Sequence, residues 1–327
     1  MLKSGMIRSR VSCGVMVCAG LTALPALGQS FPAKPIRIIV GLAPGGAADV
    51  TARLVGQRLS EKLGQSVLVE NRLGAGGSIA TERVAASPAD GYTLMMMTSS
   101  GPVLQAINPK VTYDLRRDLA AVSLAASGPW LIVGHPSVPA KNAKELIALA
   151  RAQPGTLNYA SSGLGGSSHL AGELFCLLGN IRMVHVPYKG GSEGAIAAAR
   201  GEVDLSFSTI PSVLPLLESG KLKPLAVTSA QRASMLPLLP TLRESGLKDY
   251  DYSIWVGVLA PAGVPKEIVA ILNAGIGQVV NTPEMKVSLN KQGLDPRTST
   301  PEQFAALIHS EIEQNRTLIQ RAGVKPE

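Results

Sequence analysis

The sequence predicts a protein of the α/β class with two domains. Short β-branched runs alternate with amphipathic helical patterns, which is typical of parallel strands joined by helical crossovers. The alternation comes in two successive series, and 327 residues are enough for two domains of ordinary size. Neither a fixed-period repeat nor a low-complexity segment interrupts them.

The first series occupies residues 36–99. Apolar runs rich in Val and Ile predict strands, and apolar residues at helical spacing predict helices, the longer of which ends at Gly64. The predicted elements are strand 36–43, helix 48–64, strand 66–72, helix 79–85 and strand 92–99.

The second series has the same design, and two apolar, extended stretches, 119–136 and 250–265, flank it. Helices follow to the end of the chain, and the last, 301–323, has one apolar stripe. The predicted elements of the second series are helix 141–152, strand 157–162, helix 167–178, strand 183–188, helix 192–200, strand 203–209, helix 211–219 and strand 222–229.

Residues 1–28 have the pattern of a secretory signal peptide. Lys3, Arg8 and Arg10 precede an apolar run, and small residues before the next segment favour cleavage after Gly28. The alternative is a membrane anchor, for which about 17 mildly apolar residues are marginal. The sequence therefore predicts a periplasmic protein of 299 residues (327 − 28).

The mature chain would be mildly basic. Removing three basic residues leaves 28 Lys and Arg against 23 Asp and Glu, a net charge of +5 (31 − 3 − 23). Because there is no basic run and aromatic residues make up only 4%, the composition argues against nucleic-acid binding. A small positive excess suits anionic ligands. Cys176, the one cysteine left, is predicted to be a core residue.

Four glycine-rich turns share one design, two in each series. Each joins the carboxyl end of a predicted strand to the amino end of a helix and combines glycine with Ser or Asp. We call them the first to fourth glycine turns: residues 44–49, 74–78, 162–169 and 189–192.

These turns predict a site for a small carboxylate. Helix N-termini attract anions through free N–H groups and partial positive charge, and glycine lets the backbone approach a ligand. In open α/β sheets, ligands lie beyond the carboxyl ends of the strands. Phosphate-loop and dinucleotide motifs do not fit, because Lys189 precedes its glycines and the other turns lack the final glycine.

Three side chains in these turns have two interpretations each. Asp49 is a helix cap or a ligand contact, His169 lines the cleft or caps its helix, and Lys189 is solvated or a counter-charge for the ligand. No His, Cys, Asp and Glu residues have the spacing of metal ligands, so we predict neither a metal nor a cofactor.

The fourth turn also contains "GGSEG", a match to the G-x-S-x-G motif of serine hydrolases, with Ser192 as nucleophile. In α/β-hydrolases the histidine follows the nucleophile, and here only His309 does so, on a polar helix face. His169 and His185 come earlier in the chain. We therefore regard the match as accidental and keep a hydrolase or transferase as the alternative.

Several sequence blocks occur in order along the mature chain: "APGGAADVTARLVGQRLSEKLGQSVLVENRLGAGGS", "VPYKGG", "GEVDLSFSTIPSVLPLLESGKLKPLAVTS", "WVGVLAPAGVP" and "PEQFAALIHSEIEQNRTLIQRAG". Together they resemble the Bug receptors, the extracytoplasmic substrate-binding proteins of tripartite tricarboxylate transporters. The resemblance implies a type II-like periplasmic-binding-protein fold, with two open sheets and flanking helices joined by two crossing hinge strands. Domain 1 would comprise residues 31–122 and 254–327, and domain 2 residues 123–253.

The resemblance also implies a monomeric receptor, not an enzyme, that closes over a small organic acid and delivers it to integral membrane subunits. A receptor redirected to signalling through a sensor partner remains a second alternative. The ligand contacts carried over from the family are Ala43, Gly45, Gly46, Asp49, Gly77, Ser78, Thr98 and Ser99 in domain 1, and Ser162, Gly163, Ser167, His169, Lys189 and Ser208 in domain 2.

Overall fold

The computed structural model describes residues 31–324; the predicted signal peptide lies outside the described residues. The strands of the described chain are β1 (Ile36–Val40), β2 (Val67–Asn71), β3 (Thr93–Thr98), β4 (Leu119–Gly134), β5 (Asn158–Ser161), β6 (Val184–Pro187), β7 (Leu205–Thr209), β8 (Lys223–Val227), β9 (Ser253–Pro261) and β10 (Asp295–Pro296).

The helices follow the predicted alternation, with the addition of α3, which the sequence analysis missed. They are α1 (Ala47–Leu63), α2 (Ser78–Ala85), α3 (Ser100–Ile107), α4 (Ala143–Ala152), α5 (Ser167–Gly179), α6 (Gly191–Ala199), α7 (Ile210–Glu218), α8 (Lys266–Val280), α9 (Pro283–Asn290) and α10 (Pro301–Ala322). Among residues 31–324, none of these helices is both long and apolar enough to cross a membrane.

The strands form two open sheets that share β4. In the first sheet β1 lies parallel between β2 and β3, and β9 lies antiparallel between β3 and β4. In the second sheet β5 lies parallel between β6 and β7, while β4 runs antiparallel to β7 and β8. The chain therefore has the predicted two-lobed α/β fold. The expectation of parallel strands needs one correction, because β4 and β9 run antiparallel to their neighbours.

Each lobe has a sheet covered by helices. In the first lobe, Val55 and Leu59 of α1 and Ile276 of α8 are fully buried against the sheet. In the second, Phe175 of α5 and Phe207 of β7 are fully buried, with ring centroids 6.1 Å apart. Burying one such side chain contributes about 1.5–3 kcal/mol, so these contacts fix the strands whose ends carry the glycine turns.

Helix α10 begins and ends at strong sequence signals. Thr300 and Gln303 form a capping box at its start, and Gly323 adopts a left-handed conformation at its end. The apolar stripe predicted from the sequence is buried, and the Phe304 ring lies perpendicular to Trp255 of β9, with centroids 5.0 Å apart. The C-terminal helix thus packs on the first sheet.

Glu311 of α10 is a buried carboxylate that makes stability depend on pH. Burial raises its pKa to about 7, although the Trp255 Nε1–H donates a hydrogen bond at 2.8 Å and Arg297 attracts its charge. An unfolded Glu titrates near pH 4.3, so the native state alone holds this proton between about pH 4.3 and 7. Stability from this group is full below that window and is lost as the pH rises through it.

We expect Glu311→Gln to be more stable than the wild type at about pH 8, by at least about 1 kcal/mol, and close to it at about pH 4. The amide keeps an acceptor for Trp255 and carries no charge to bury. Urea unfolding at both pH values measures the difference. Glu218→Gln, at an exposed position of α7, is the control and should change little at either pH. A stability difference that is the same at both pH values would contradict the interpretation.

Candidate functional site

The first glycine turn is shaped by Asp49. Asp49 is 3% exposed, and its carboxylate accepts the Gly45 N–H at 3.0 Å and pairs with Arg53 at 2.8 Å. Burial works against ionisation of Asp49, but the hydrogen bonds from Arg53 and Gly45 outweigh it and lower the pKa of the carboxyl. Ala43 and Gly45 are exposed, and Gly46 precedes the first residue of α1.

The second glycine turn lies directly against the end of β1. Gly76 and Gly77 have φ angles of 64° and 105°, which side chains rarely adopt. A Cβ atom on Gly41 would lie 2.9 Å from Cα of Gly77, so the two backbones approach closely because both residues are glycine. Ser78 is buried, and its Oγ lies 3.5 Å from the hydroxyl of Tyr113.

The end of β3 lines a small cavity beside the second turn. Gly77, Thr98 and Ser100 are among the residues that line this cavity. The Ser100 N–H donates to Oγ1 of Thr98 at 3.3 Å, and the Ser99 N–H donates to the carbonyl of Trp255 at 3.2 Å. The structure thus places Gly77 and Thr98, both predicted site residues, at one cavity.

Two buried side chains of α5 hold the third glycine turn. Ser168 accepts the Ser162 N–H at 2.9 Å, and Nδ1 of His169 accepts the Gly165 N–H at 3.0 Å. Ser168 and His169 are 0% and 3% exposed. Gly163 has a φ of 134°, which requires glycine. The turn is therefore fixed from inside the helix that follows it.

The fourth glycine turn is held by Glu193. The Glu193 carboxylate accepts the Lys189 N–H at 3.3 Å, and the Lys189 side chain is exposed. Ser208 is fully buried and donates to the carbonyl of Gly191 at 3.3 Å. Ser192 is exposed, and among the described residues its hydroxyl makes no hydrogen bond with a histidine. The serine-hydrolase alternative therefore finds no support in the geometry.

The two lobes touch at the N-termini of α3 and α5. Oγ of Ser167 lies 3.3 Å from Oγ of Ser99 and 3.4 Å from Oγ of Ser100. Beside these hydroxyls, a Cβ atom on Gly165 would lie 2.8 Å from Ile107 of α3. Two residues predicted from different lobes, Ser99 and Ser167, are thus brought together.

The buried polar side chains of residues 31–324 are mostly hydroxyls and include no lysine or arginine. An anion in the cleft would therefore meet backbone N–H groups and hydroxyls rather than a buried cation. Within the same range no group of His, Cys, Asp and Glu side chains could hold a metal ion. The arrangement is suited to reversible binding.

Sequence analysis missed several residues that shape this region. Ser100 and Ser168 each follow a predicted site residue directly, so the same helix-start pattern could have identified them. Gly41 and Tyr113 carried no such signal. Gly41 is recognised only by its approach to the second turn, and Tyr113 comes from a loop that the fold brings to Ser78.

Two lobes joined by a shared strand, with the N-termini of α3 and α5 meeting between them, define a solute-binding protein of the periplasmic class. The chain belongs to the tripartite tricarboxylate transporter family of receptors, since the model of that family, TctC, matches residues 51–324. This membership confirms the resemblance to the Bug receptors. Because the family consists of transporter receptors, it also confirms the expectation that the chain is not an enzyme.

Relatives cover nearly the whole chain. Protein BugT of Bordetella pertussis is 34% identical over 322 residues, 98% of this chain and 99% of BugT. Among solved structures, R. palustris Rpa4515 with adipate is 35% identical, has a TM-score of 0.85 and covers 91% of this chain and 100% of its own. MatC (Rpa3494) from Rhodopseudomonas palustris, with bound malate, is 30% identical with a TM-score of 0.79, over 88% and 100% of the two chains.

Proposed function

We propose that this receptor works in the periplasm, closes over a small organic carboxylate and delivers it to the membrane subunits of a tripartite transporter. The observation that carries the proposal is the meeting of Ser99 and Ser167 at 3.3 Å, at the N-termini of α3 and α5. The start of α5 offers backbone N–H groups and partial positive charge, and the start of α3 adds the hydroxyls of Ser99 and Ser100. A carboxylate at this point would receive hydrogen bonds from both lobes.

Closure follows from contact with both lobes, because such a ligand binds the closed state better and shifts the population towards it. We propose residues 31–122 with 254–327 as one lobe and 123–253 as the other. Pairing of β9 with β3 and packing of α8 on α1 support the return of the chain to the first lobe.

The chemical nature of the ligand is supported by two relatives, which were solved with adipate and with malate. Another solved relative, BugD, is described as a periplasmic binding protein, which supports the proposed location. In this scheme the receptor is a monomer, and the membrane subunits are separate chains. The family is one of transporter receptors, so a role in signalling finds no support.

Thermal unfolding of the purified protein with adipate, malate, citrate and nicotinate tests the proposal. A ligand that binds only the native state stabilises it by about 2.7 kcal/mol at a hundred times its dissociation constant. We expect at least one acid to raise the Tm saturably. The uncharged diamides of adipate and malate are the matched controls and should leave the Tm unchanged.

Two results would overturn the carboxylate assignment. One is a flat response to every acid at millimolar concentration. The other is an equal shift with an acid and its diamide, which would show that the carboxylate charge is not what the cleft recognises.

A further inference from the structure

Four titratable side chains lie together behind the third glycine turn: Tyr159, His169, Glu173 and His185. The rings of His169 and His185 are stacked, with centroids 3.7 Å apart and an interplanar angle of 14°. Glu173 accepts the hydroxyl of Tyr159 at 2.6 Å, and its Oε1 lies 3.5 Å from Nε2 of His169. We call these four residues the histidine cluster. They connect the third glycine turn to the sheet of the second lobe.

Both ring nitrogens of His169 face protein groups. Because Nδ1 accepts the N–H of Gly165, the proton of the neutral ring lies on Nε2 and points to Glu173. The side chain is almost completely buried, so no ring nitrogen is left for a ligand. The sequence left open whether His169 lines the cleft or caps its helix. These contacts favour an internal role, in which His169 holds the turn.

His185 holds the other end of the same turn. Its Nε2 lies 2.6 Å from Oγ of Ser161, and that hydroxyl accepts the N–H of Gly163 at 3.2 Å. The stacked histidines therefore fix the turn at two points, through Ser161 and through Gly165. Displacing one ring would disturb the other.

Protonation acts directly on these contacts. A second proton on His169 would occupy Nδ1, where the Gly165 N–H now donates, and two charged rings at stacking distance would repel each other. Burial and the neighbouring His169 lower the pKa of His185 to about 4. A histidine in the unfolded chain titrates near pH 6.5, so the stability that neutral His185 provides is present above about pH 6.5 and lost towards pH 4.

The other titratable groups around the cluster keep their charge over this range. Burial raises the pKa of Cys176 to about 12 and raises those of Tyr159 and Tyr250 as well. Glu173 is the one counter-charge: burial disfavours its ionisation, but hydrogen bonds from His169 and Tyr159 outweigh this and lower its pKa.

Helices α3 and α10 also pack against this end of α5, and their contacts with it are apolar. Val103 and Ile107 of α3 and Ile319 of α10 cluster there with Leu170, and the partly buried Tyr252 packs against them. Burial raises the pKa of Tyr252 well above its usual value, so it also stays neutral. The histidine cluster therefore acts on the third glycine turn through hydrogen bonds, at Ser161 and at Gly165.

We propose that His169 is a positioning residue: its Nδ1, as acceptor of the Gly165 N–H, keeps the third glycine turn in its ligand-binding shape. Loss of this acceptor then loosens the turn and weakens ligand binding. The weaker ligand binding rests on the proposed function, whereas the loosening of the turn concerns the free protein.

Hydrogen exchange of the unliganded protein tests the first consequence. His169→Leu lacks an acceptor, so we expect the protection of its Gly165 amide, corrected for intrinsic rates, to fall at least about tenfold below that of the wild type. His169→Asn keeps an acceptor close to the position of Nδ1, so its protection should stay within about threefold of the wild type. His309→Asn, on the exposed face of α10, is the control and should behave as the wild type.

The proposal is overturned if His169→Leu keeps wild-type protection, or if His169→Asn loses as much protection as His169→Leu. Nitrogen-15 NMR of the wild-type imidazoles gives a check that needs no variant. In the neutral His169 ring, Nδ1 should be the unprotonated nitrogen and Nε2 should carry the proton. The opposite tautomer would also contradict the proposal, because its Nδ1 could not accept the Gly165 N–H.

Calorimetry with adipate tests the link to binding. We expect affinity to fall at least about tenfold in His169→Leu and by less than about threefold in His169→Asn, both relative to the wild type. Loss of Gly165 protection in His169→Leu without loss of affinity would overturn the link. If the wild type does not bind adipate while the exchange result holds, the ligand assignment fails and the positioning role of His169 stands.

Discussion

Gly41→Ala is expected to weaken ligand binding more than any other single-methyl change near the cleft. The new Cβ would lie 2.9 Å from Cα and 3.2 Å from the carbonyl oxygen of Gly77, both of them backbone atoms. Because backbone cannot rotate away as a side chain can, β1 and the second glycine turn must move apart. Overpacking of this kind costs about 1–3 kcal/mol of stability.

The effect on binding should exceed the effect on folding. The methyl group shifts the turn that carries Ser78 and lines the cavity at Thr98, and a displaced contact loses most of its hydrogen-bond energy. We expect affinity for the acid that stabilises the wild type to fall at least about tenfold, measured by calorimetry on protein that is still folded.

Gly277→Ala is the matched control for this variant. In α8 a Cβ atom at this position would have no neighbour within 4 Å, so the change should stabilise the helix by about 0.5–1 kcal/mol and leave binding unchanged. Wild-type affinity and stability in Gly41→Ala would show that the two backbones are not held as closely as described, and would remove the second turn from the proposed site.

Phe304→Ala is expected to produce the largest loss of stability, about 3–5 kcal/mol in urea unfolding. The ring is fully buried and lies perpendicular to Trp255. It also covers Gly257 of β9, where a Cβ atom would lie 2.4 Å from the Phe304 ring. Removing the ring leaves a cavity between α10 and the first sheet that the rigid strand cannot fill.

Val287→Ala serves as the control, because this side chain is 54% exposed and its truncation should cost less than about 0.5 kcal/mol. A loss below about 1 kcal/mol in Phe304→Ala would contradict the packing of α10 on the first sheet. The result therefore tests the part of the proposed lobe assignment that the sequence pattern did not provide.

Helix limits were predictable where local chemistry decides them. Gly64 and Gly323 end α1 and α10 in left-handed conformations, as glycine after an amphipathic helix predicts. Helix α3 was missed because Gly101 and Pro102 in its first turn reduce helix propensity. In the fold Gly101 leaves room for the Met97 side chain, which a Cβ atom there would meet at 2.4 Å.

The glycine turns of the proposed site were predictable for the same reason as the helix limits. Glycine followed by Ser or Asp at a strand end is a local pattern, so all four turns were found. The hydrogen-bond partner of each polar group was not predictable, because it comes from elsewhere in the chain: Trp255 for the Ser99 N–H, Ser99 for Ser167 and His185 for Ser161. The role of His169 was left open for the same reason.

By itself, the sequence determined the α/β class, the two series of elements, the positions of the glycine turns and the family to which the chain belongs. These features depend on residues close together in the chain, through helical period, strand alternation and turn chemistry. The resemblance implied crossing strands and a return of the C-terminal helices, and the tertiary structure shows the contacts: β4 joins both sheets, and α10 packs on the first. Only the tertiary structure decided that two helix starts meet at Ser99 and Ser167. Those contacts join residues far apart in sequence, and they form because particular apolar faces can be buried only against one another.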